Sequence, residues 1–437
     1  MLSSSHLPTT IVTPKNVPTL GVLVGGGPAP GINGVIGAVT IEAINNGYRV
    51  LGFLEGFQNL ILQDDSKIVE LTIDSVSRIH FEGGSILKTS RANPTKKQED
   101  LQKVVKQLQK FNVSLLVTIG GDDTAFSSMS VAKAANNEIH VVTLPKTIDN
   151  DLPLPYGIPT FGYETAREFG ANVVRNLMTD ASTASRYFIV VAMGRQAGHL
   201  ALGIGKSAGS HLTLIPEEFL PTTDSTEPEV TFSRICDMIE ASIIKRLYTS
   251  KKDHGVIVLA EGLLEYMSTD ELKQAFGSSL KYDAHDHIML AELDFGRLVR
   301  DEMRERMNRR GLKIAFTEKN LGYELRCAPP NAFDREYTRD LGNGAVRYLL
   351  NGGNGALITV QGVKMVPLSF DDLKDPRTGK TRTRQVDVSS EGFQVAKRYM
   401  IRLEKKDFEK EETLKGLAAT AKCSVEDFIK QFKYLVQ

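Results

Sequence analysis

The sequence has 437 residues, 41% apolar and 24% charged, with 53 basic and 53 acidic side chains that cancel at neutral pH. That length accommodates two or three domains with a large core, and the charge balance gives no support to a nucleic-acid or membrane-surface role. Three widely spaced cysteines (Cys236, Cys327 and Cys423) form neither a disulfide framework nor a zinc-binding spacing, and no apolar run approaches the roughly 18 residues that span a bilayer.

Residues 1–18 read as a polar tail without a charged segment followed by an apolar one, so a reduced, cytoplasmic location is expected. Then "TLGVLVGGGPAPGINGVIGAVTIEAINNG" gives a strand over Leu20 to Val24, a Gly/Pro turn and a helical pattern. "YRVLGFLEGF" is a second strand, and "LQKVVKQLQKFNVSLLVTIGGDDTAFSSMSVAKAA" reads helix, strand, glycine turn, helix. "EIHVVTLPKTIDNDLP", "SRYFIVVAMGRQAG" and "HGVIVLAEG" repeat the pattern of a short Val/Ile/Leu run ending in a polar or glycine turn. Such runs alternating with helices predict an α/β fold with parallel sheets covered on both faces. In such sheets ligands bind beyond the carboxyl ends of the strands.

Residues 268–310 are expected to be a charged, helical insertion whose "DEMRERMNRRG" ends at a C-terminal Gly311. "SFDDLKDPRTGKTRTRQ" is a polar connection, and the segment after about Gly392 is a charge-rich helical extension. Its run "EKKDFEKEE" reads as a solvated helix face, and "DAHDH" (Asp283 to His287) as polar helix rather than a metal site.

Four turns carry candidate chemistry. In "GGGPAPGING" the glycines let backbone N–H groups approach a phosphate at a helix N-terminus, although a tight strand-to-helix turn needs the same residues. The spacing is neither the dinucleotide fingerprint nor a Walker A motif. "PKTIDNDLP" places Lys146, Thr147, Asp149 and Asp151 at a strand end, where a carboxylate can take a hydroxyl proton and a lysine can neutralise phosphate. The alternative is a proline-bounded Asx turn with solvated acids. "AMGRQAG" puts Arg195 after a strand, where it suits a phosphoryl oxygen or simply the surface. "LGYELRCAPP" offers Tyr323 and Arg326 on a turn after a basic patch of Lys313 and Lys319.

Together, "GGGPAPG", "GGSILKTSR", "GGDDT", "PKTIDND", "SRYFIVVAMGR", "AEG" and "GYELR", in this order, resemble the 6-phosphofructokinases, and most of all their pyrophosphate-dependent branch. The resemblance runs from about Leu20 to about Arg398. It implies two Rossmann-like three-layer domains with mainly parallel sheets, plus the helical insertion and the C-terminal extension. The phosphoryl-donor domain would span 19–162 with about 325–392, and the fructose 6-phosphate domain 163–324 with about 393–437.

The implied reaction is reversible phosphoryl transfer from pyrophosphate to the 1-hydroxyl of fructose 6-phosphate. Asp149 is the general base in that scheme, and Lys146 and Arg195 steady the phosphoryl group. Gly26, Gly27, Arg91, Asp123 and Lys146 would hold the donor, and Asp122 would hold Mg²⁺. Thr147, Asp149, Asp151, Met193, Gly194, Arg195, Glu261, Lys319, Tyr323 and Arg326 would contact the sugar phosphate. Arg186 matches an arginine that reaches a neighbouring subunit's site, which implies a homodimer or homotetramer. Two positions depart from the family pattern: Pro28 replaces an acid common in ATP-using members, and Thr317 stands where an arginine is expected, leaving Lys319 as its substitute.

Asp123 carries the choice of donor. ATP-using relatives have glycine there, leaving room for a nucleotide's α-phosphate. A carboxylate fills that space, and two like charges about 4 Å apart repel by roughly 4 kcal/mol at an effective dielectric near 20. That is a discrimination of about a thousandfold. The alternatives are an ATP-dependent phosphofructokinase and a catalytically silent regulatory subunit.

Overall fold

The computed structural model describes residues 12–220, 230–277, 280–281, 293–377 and 381–436. The chain divides into two compact units, Met1–Ala166 with Tyr323–Arg384, and Arg167–Gly322 with Gln385–Gln437. Among the described residues there are eleven strands: β1 Thr19–Val24, β2 Arg49–Phe53, β3 Ile68–Leu71, β4 Val113–Gly120, β5 His140–Pro145, β6 Arg186–Ala192, β7 Leu212–Leu214, β8 Gly255–Ala260, β9 Ala315–Leu321, β10 Ala356–Gln361 and β11 Lys364–Ser369.

The first unit holds a seven-stranded sheet in the order β11-β10-β5-β4-β1-β2-β3. Successive side chains of a strand face opposite sides, and β1 uses both. Leu20, Val22 and Val24 pack with Val35, Val39, Leu341 and Ala345 from the Ile32–Asn45 and Ala332–Leu350 helices. Leu23 packs on the other face with Val104, Leu108 and Val131 from the Gln98–Lys110 and Asp122–Ala134 helices. This is a three-layer unit with its central strands buried on both sides.

The central strands are parallel, while β3 and β11 pair antiparallel at the two edges. β11 had no sequence signal. Its exposed side chains alternate weakly, and Pro367 lacks the N–H that an inner strand must donate. A two-residue hairpin makes it, with Gly362 at φ +63° and Val363 at the exposed tip.

The second unit holds a parallel four-stranded sheet in the order β7-β8-β6-β9. Tyr187, Ile189, Ile257 and Leu259 bury one face against Ile239, Ile243, Val299 and Met303. The last two belong to the Phe295–Arg309 helix of the expected insertion, which ends with Gly311 at φ +66°. The insertion's other described helix is Thr269–Phe276, and "DAHDH" lies outside the described residues.

The C-terminal extension is helical, and Leu417, Phe428 and Phe432 cover Ala241 and Ile244 of the Phe232–Ser250 helix. Its charge run is not one solvated face. The run breaks into the helices Lys405–Glu409 and Glu411–Thr420, and Asp407 turns inward to meet Lys245 Nζ at 2.7 Å. Pairing makes that burial tolerable, since an unpaired carboxylate there would lose its hydration without compensation.

Candidate functional site

In the first unit the carboxyl ends of β1, β4 and β5 lie side by side, so their three turns form one surface. Gly25 N–H donates to Ile119 O at 2.9 Å, and Lys146 N–H donates to Gly120 O at 3.0 Å. Gly26, at φ +80°, donates its N–H to Ser90 O at 2.8 Å. This bond ties the first turn to the Ser90 segment, which also forms an isolated bridge with Gly25.

One glycine of each turn, Gly120 of "GGDDT" and Gly25 of the first, has a packing reason as well. A Cβ on Gly25 would stand 2.3 Å from Thr124 Oγ1, and one on Gly120 would stand 2.2 Å from the same atom. Thr124 is buried beneath both turns. Asp122 and Asp123 are exposed in the first turn of the Asp122–Ala134 helix, where the N-terminal dipole also favours negative charge.

Lys146 is 5% exposed. Its ammonium donates to Gly27 O at 2.6 Å. Burial pulls its pKa down to about 8, helped by the charges of Arg326 and Arg91 and opposed by Asp149 and Asp151. Arg326 is the second cation at this turn, with its guanidinium carbon 3.5 Å from where a Gly27 Cβ would stand and 5.3 Å above the Tyr323 ring. Tyr323 and Arg326 were expected on a turn, but they form the short helix Tyr323–Arg326 in the first unit, with Tyr323 exposed.

Arg91, Gly26 and Asp123 line a cavity of about 50 Å³, with Thr124, Asn93 and Ser127 beside them. In the "TIDND" loop, Asp149 N–H donates to Thr147 Oγ1 at 3.0 Å. Asn150 adopts φ +58° and accepts from Thr160 N–H at 3.0 Å. Burial and then the charge of Asp122 push the Asp151 carboxyl up, while Thr147 and Arg384 act the other way. The electrostatics thus place Asp122 and Asp151 in reach of one another.

The second unit gathers a separate group. Met193 N–H donates to Leu321 O at 3.0 Å, which fixes the turn at the end of β6 to β9. Gly194, at φ +131°, donates to Glu261 Oε2 at 3.3 Å, and its carbonyl accepts from Gly262 N–H at 2.9 Å. Arg195 is exposed and pairs with Glu265 at 3.5 Å. Met193, Gly194, Arg195 and Glu261 are therefore neighbours. Lys319 lies within β9 opposite Val190, two residues before the strand end. Arg186 opens β6, 3.7 Å from Asp180. His199 begins the His199–Ala208 helix, where Gly198 is the cap.

One contributor escaped the sequence reading. Arg384 sits in a stretch read only as a polar connection, yet it donates to the carbonyl of Asn150 in the "TIDND" loop and to that of Ile158 in the segment after it. No local pattern could have announced it.

Comparison with known proteins bears on all of these turns. Residues 19–349 match the family model described as "Phosphofructokinase". A pyrophosphate–fructose 6-phosphate 1-phosphotransferase of Thermotoga maritima is 49% identical over 416 residues, covering 94% of this chain and 97% of that one. An ATP-dependent 6-phosphofructokinase of Lactobacillus helveticus is 32% identical over 83% of this chain and 94% of its own. Among solved structures, a pyrophosphate-dependent phosphofructokinase from Nitrosospira multiformis superposes with a TM-score of 0.67 at 16% identity, covering 92% of this chain and 91% of that one. At that identity the likeness speaks for the fold alone.

Proposed function

The chain belongs to the phosphofructokinase family, and from that premise we propose that it transfers a phosphoryl group from pyrophosphate to the 1-hydroxyl of fructose 6-phosphate. The products are fructose 1,6-bisphosphate and phosphate. A phosphoanhydride without a nucleotide lies closer in transfer potential to the sugar ester than ATP does, so the reaction runs in both directions.

The observation that carries the choice of donor is the cavity of about 50 Å³ walled by Gly26, Arg91 and Asp123. Pockets for drug-sized ligands, a class that includes nucleotides, run to roughly 300–1,000 Å³. The space suits a phosphate group, and the Asp123 carboxylate adds both bulk and repulsion against anything longer.

In this reading Asp149 takes the proton of the sugar hydroxyl as its oxygen attacks in line. Lys146 and Arg91 neutralise the donor, and Arg195 steadies the transferring group. Met193, Gly194 and Glu261 take the sugar, with Thr147, Asp151, Lys319 and Tyr323 as further contacts. Arg326 serves the sugar phosphate or, from its place beside Gly27, the donor turn.

Mg²⁺ fits the donor set. Asp122 and Asp151 are electrostatically close. Among the described residues no cluster of three or more His, Cys, Asp or Glu could hold a metal. Two carboxylates completed by phosphate oxygens and water are the usual arrangement for this ion, which when bound offsets the charge of pyrophosphate. A homodimer or homotetramer, with Arg186 completing a neighbour's site, belongs to the same proposal.

The test is a coupled assay with each donor. The expected result is a kcat/KM at least a hundredfold higher with pyrophosphate than with ATP, and a clear gain with ATP in Asp123→Gly. A higher kcat/KM with ATP in the unaltered protein overturns the donor assignment. No turnover with either donor would favour a regulatory chain.

A further inference from the structure

Arg384 ends the first unit and is half-buried. Its main-chain N–H donates to Asp151 O at 2.8 Å. Its Nε and Nη2 donate to Asn150 O at 3.1 and 3.0 Å, and Nη2 also reaches the Asn150 side-chain oxygen. Nη1 donates to Ile158 O at 2.7 Å and to Leu154 O at 3.3 Å. One guanidinium thus gathers carbonyls from both ends of the segment that follows Asp149.

Such carbonyls need donors when they turn away from water. A planar fork of five N–H groups can serve several at once, and a lysine ammonium, a point charge on a flexible stem, cannot span them. The gathered segment is also strained. Asn150 is one of the few non-glycine residues with positive φ, at +58°, a conformation that persists only when its surroundings hold it. Asn150 stands between Asp149 and Asp151, so its dihedral sets the angle between their backbones.

We infer that Arg384 is a positioning residue for phosphoryl transfer: by clamping Asn150 in its left-handed conformation it aims Asp149 at the sugar hydroxyl. This rests on the proposed role of Asp149 as base. Arg384 itself touches the loop's backbone and acts on the chemistry through that loop.

Steady-state kinetics of Arg384→Ala, Arg384→Lys, Asn150→Gly and the Arg384→Ala/Asn150→Gly pair test it, alongside thermal melts. Misplacing a reacting group by about 1 Å costs on the order of 100-fold in rate. Arg384→Ala should therefore lower kcat by about that factor while both KM values stay within about threefold, and millimolar guanidinium should restore part of the loss. Arg384→Lys should recover less than a tenth of it. Glycine adopts positive φ without strain, so Arg384→Ala should cost several-fold less in the Asn150→Gly background than in the natural one.

Wild-type kcat in a folded Arg384→Ala protein overturns the inference. So does a loss confined to KM, or losses that multiply fully with Asn150→Gly. If the alanine variant does not fold, Arg384→Lys carries the same readout. The unaltered protein is assayed with both donors. If ATP proves the better one, the donor assignment falls and the Arg384 comparison is read with ATP.

Discussion

The strand-end turns of the two units are built alike and charged differently. In the first unit, Gly25 and Lys146 hydrogen-bond to the end of β4. In the second, Met193 bonds to the end of β9, and Gly194 accepts from Gly262 after β8. Both are parallel strands whose last backbone groups tie neighbouring turns together. The cations set them apart: Lys146 is 5% exposed with its pKa drawn to about 8, whereas the Arg195 side chain is 58% exposed and loosely paired with Glu265. The first unit thus holds its charge ready in a desolvated place, where electrostatic interactions are strongest. The second leaves its cation at the surface beside Glu265, where the proposed ligand would cover it. Changes in the first should damage turnover or alter stability, and changes in the second should weaken binding.

The sharpest break would come from Asp149. Asp149→Asn keeps the shape and removes the base, so kcat should fall by about 10²- to 10⁴-fold. Binding of fructose 6-phosphate, read by calorimetry, should survive. Turnover near the natural rate would remove Asp149 from the base role.

Lys146→Met comes next and tests the cost of a buried charge. Between about pH 8 and the ordinary lysine value of 10.5, the unfolded chain holds a proton that the folded chain has released. Stability therefore rises with pH across that window, and below it the penalty is present in full. The penalty is on the order of 3 kcal/mol. At pH 7 Lys146→Met should thus melt higher than the natural protein while losing most pyrophosphate turnover. In the natural protein, kcat/KM for the donor should fall as pH rises through about 8, because the ammonium loses its proton there. A lower melting temperature in the variant would mean that the bond to Gly27 outweighs the desolvation. For contrast, Arg195→Ala should lower kcat/KM for the sugar phosphate about tenfold and leave the melting temperature within a degree or two, since an exposed pair contributes little.

These expectations rest on features of unequal legibility. The strand runs and glycine turns could be read from the sequence because a buried parallel strand is a continuous apolar run and its turn needs small residues. Asp123 stood out because a charge in a phosphate turn is locally odd, and its proposed role came from the family resemblance. The bond from Lys146 to Gly27 was not, since 119 residues separate them. Arg384 was less so, acting on Asn150 across 234 residues from a stretch that looks like solvated loop. Periodicity reports what a segment buries, and it does not report which distant backbone a side chain will serve. The same limit explains Asp407, hidden inside a charge run because its partner Lys245 lies on another helix.

The smallest expected effect separates the two units by how each excludes a methyl group. At Gly25 the obstacle is a side chain, with Thr124 Oγ1 at 2.3 Å, Cγ2 at 3.0 Å and Cβ at 3.2 Å from the added Cβ. At Gly262 it is backbone, with Arg195 O at 2.6 Å and Gly194 O at 3.0 Å. Overpacking typically costs about 1–3 kcal/mol, so both alanine variants should lose stability. Only the first can be relieved by truncating a neighbour. Gly25→Ala/Thr124→Ala should recover about 1 kcal/mol relative to the sum of the single changes, because Thr124→Ala removes the two closest atoms. No side-chain substitution offers Gly262→Ala the same relief. If chemical denaturation finds the Gly25 and Thr124 changes strictly additive, the glycine answers to its backbone bond with Ile119 rather than to Thr124, and the two turns are more alike than their neighbours suggest.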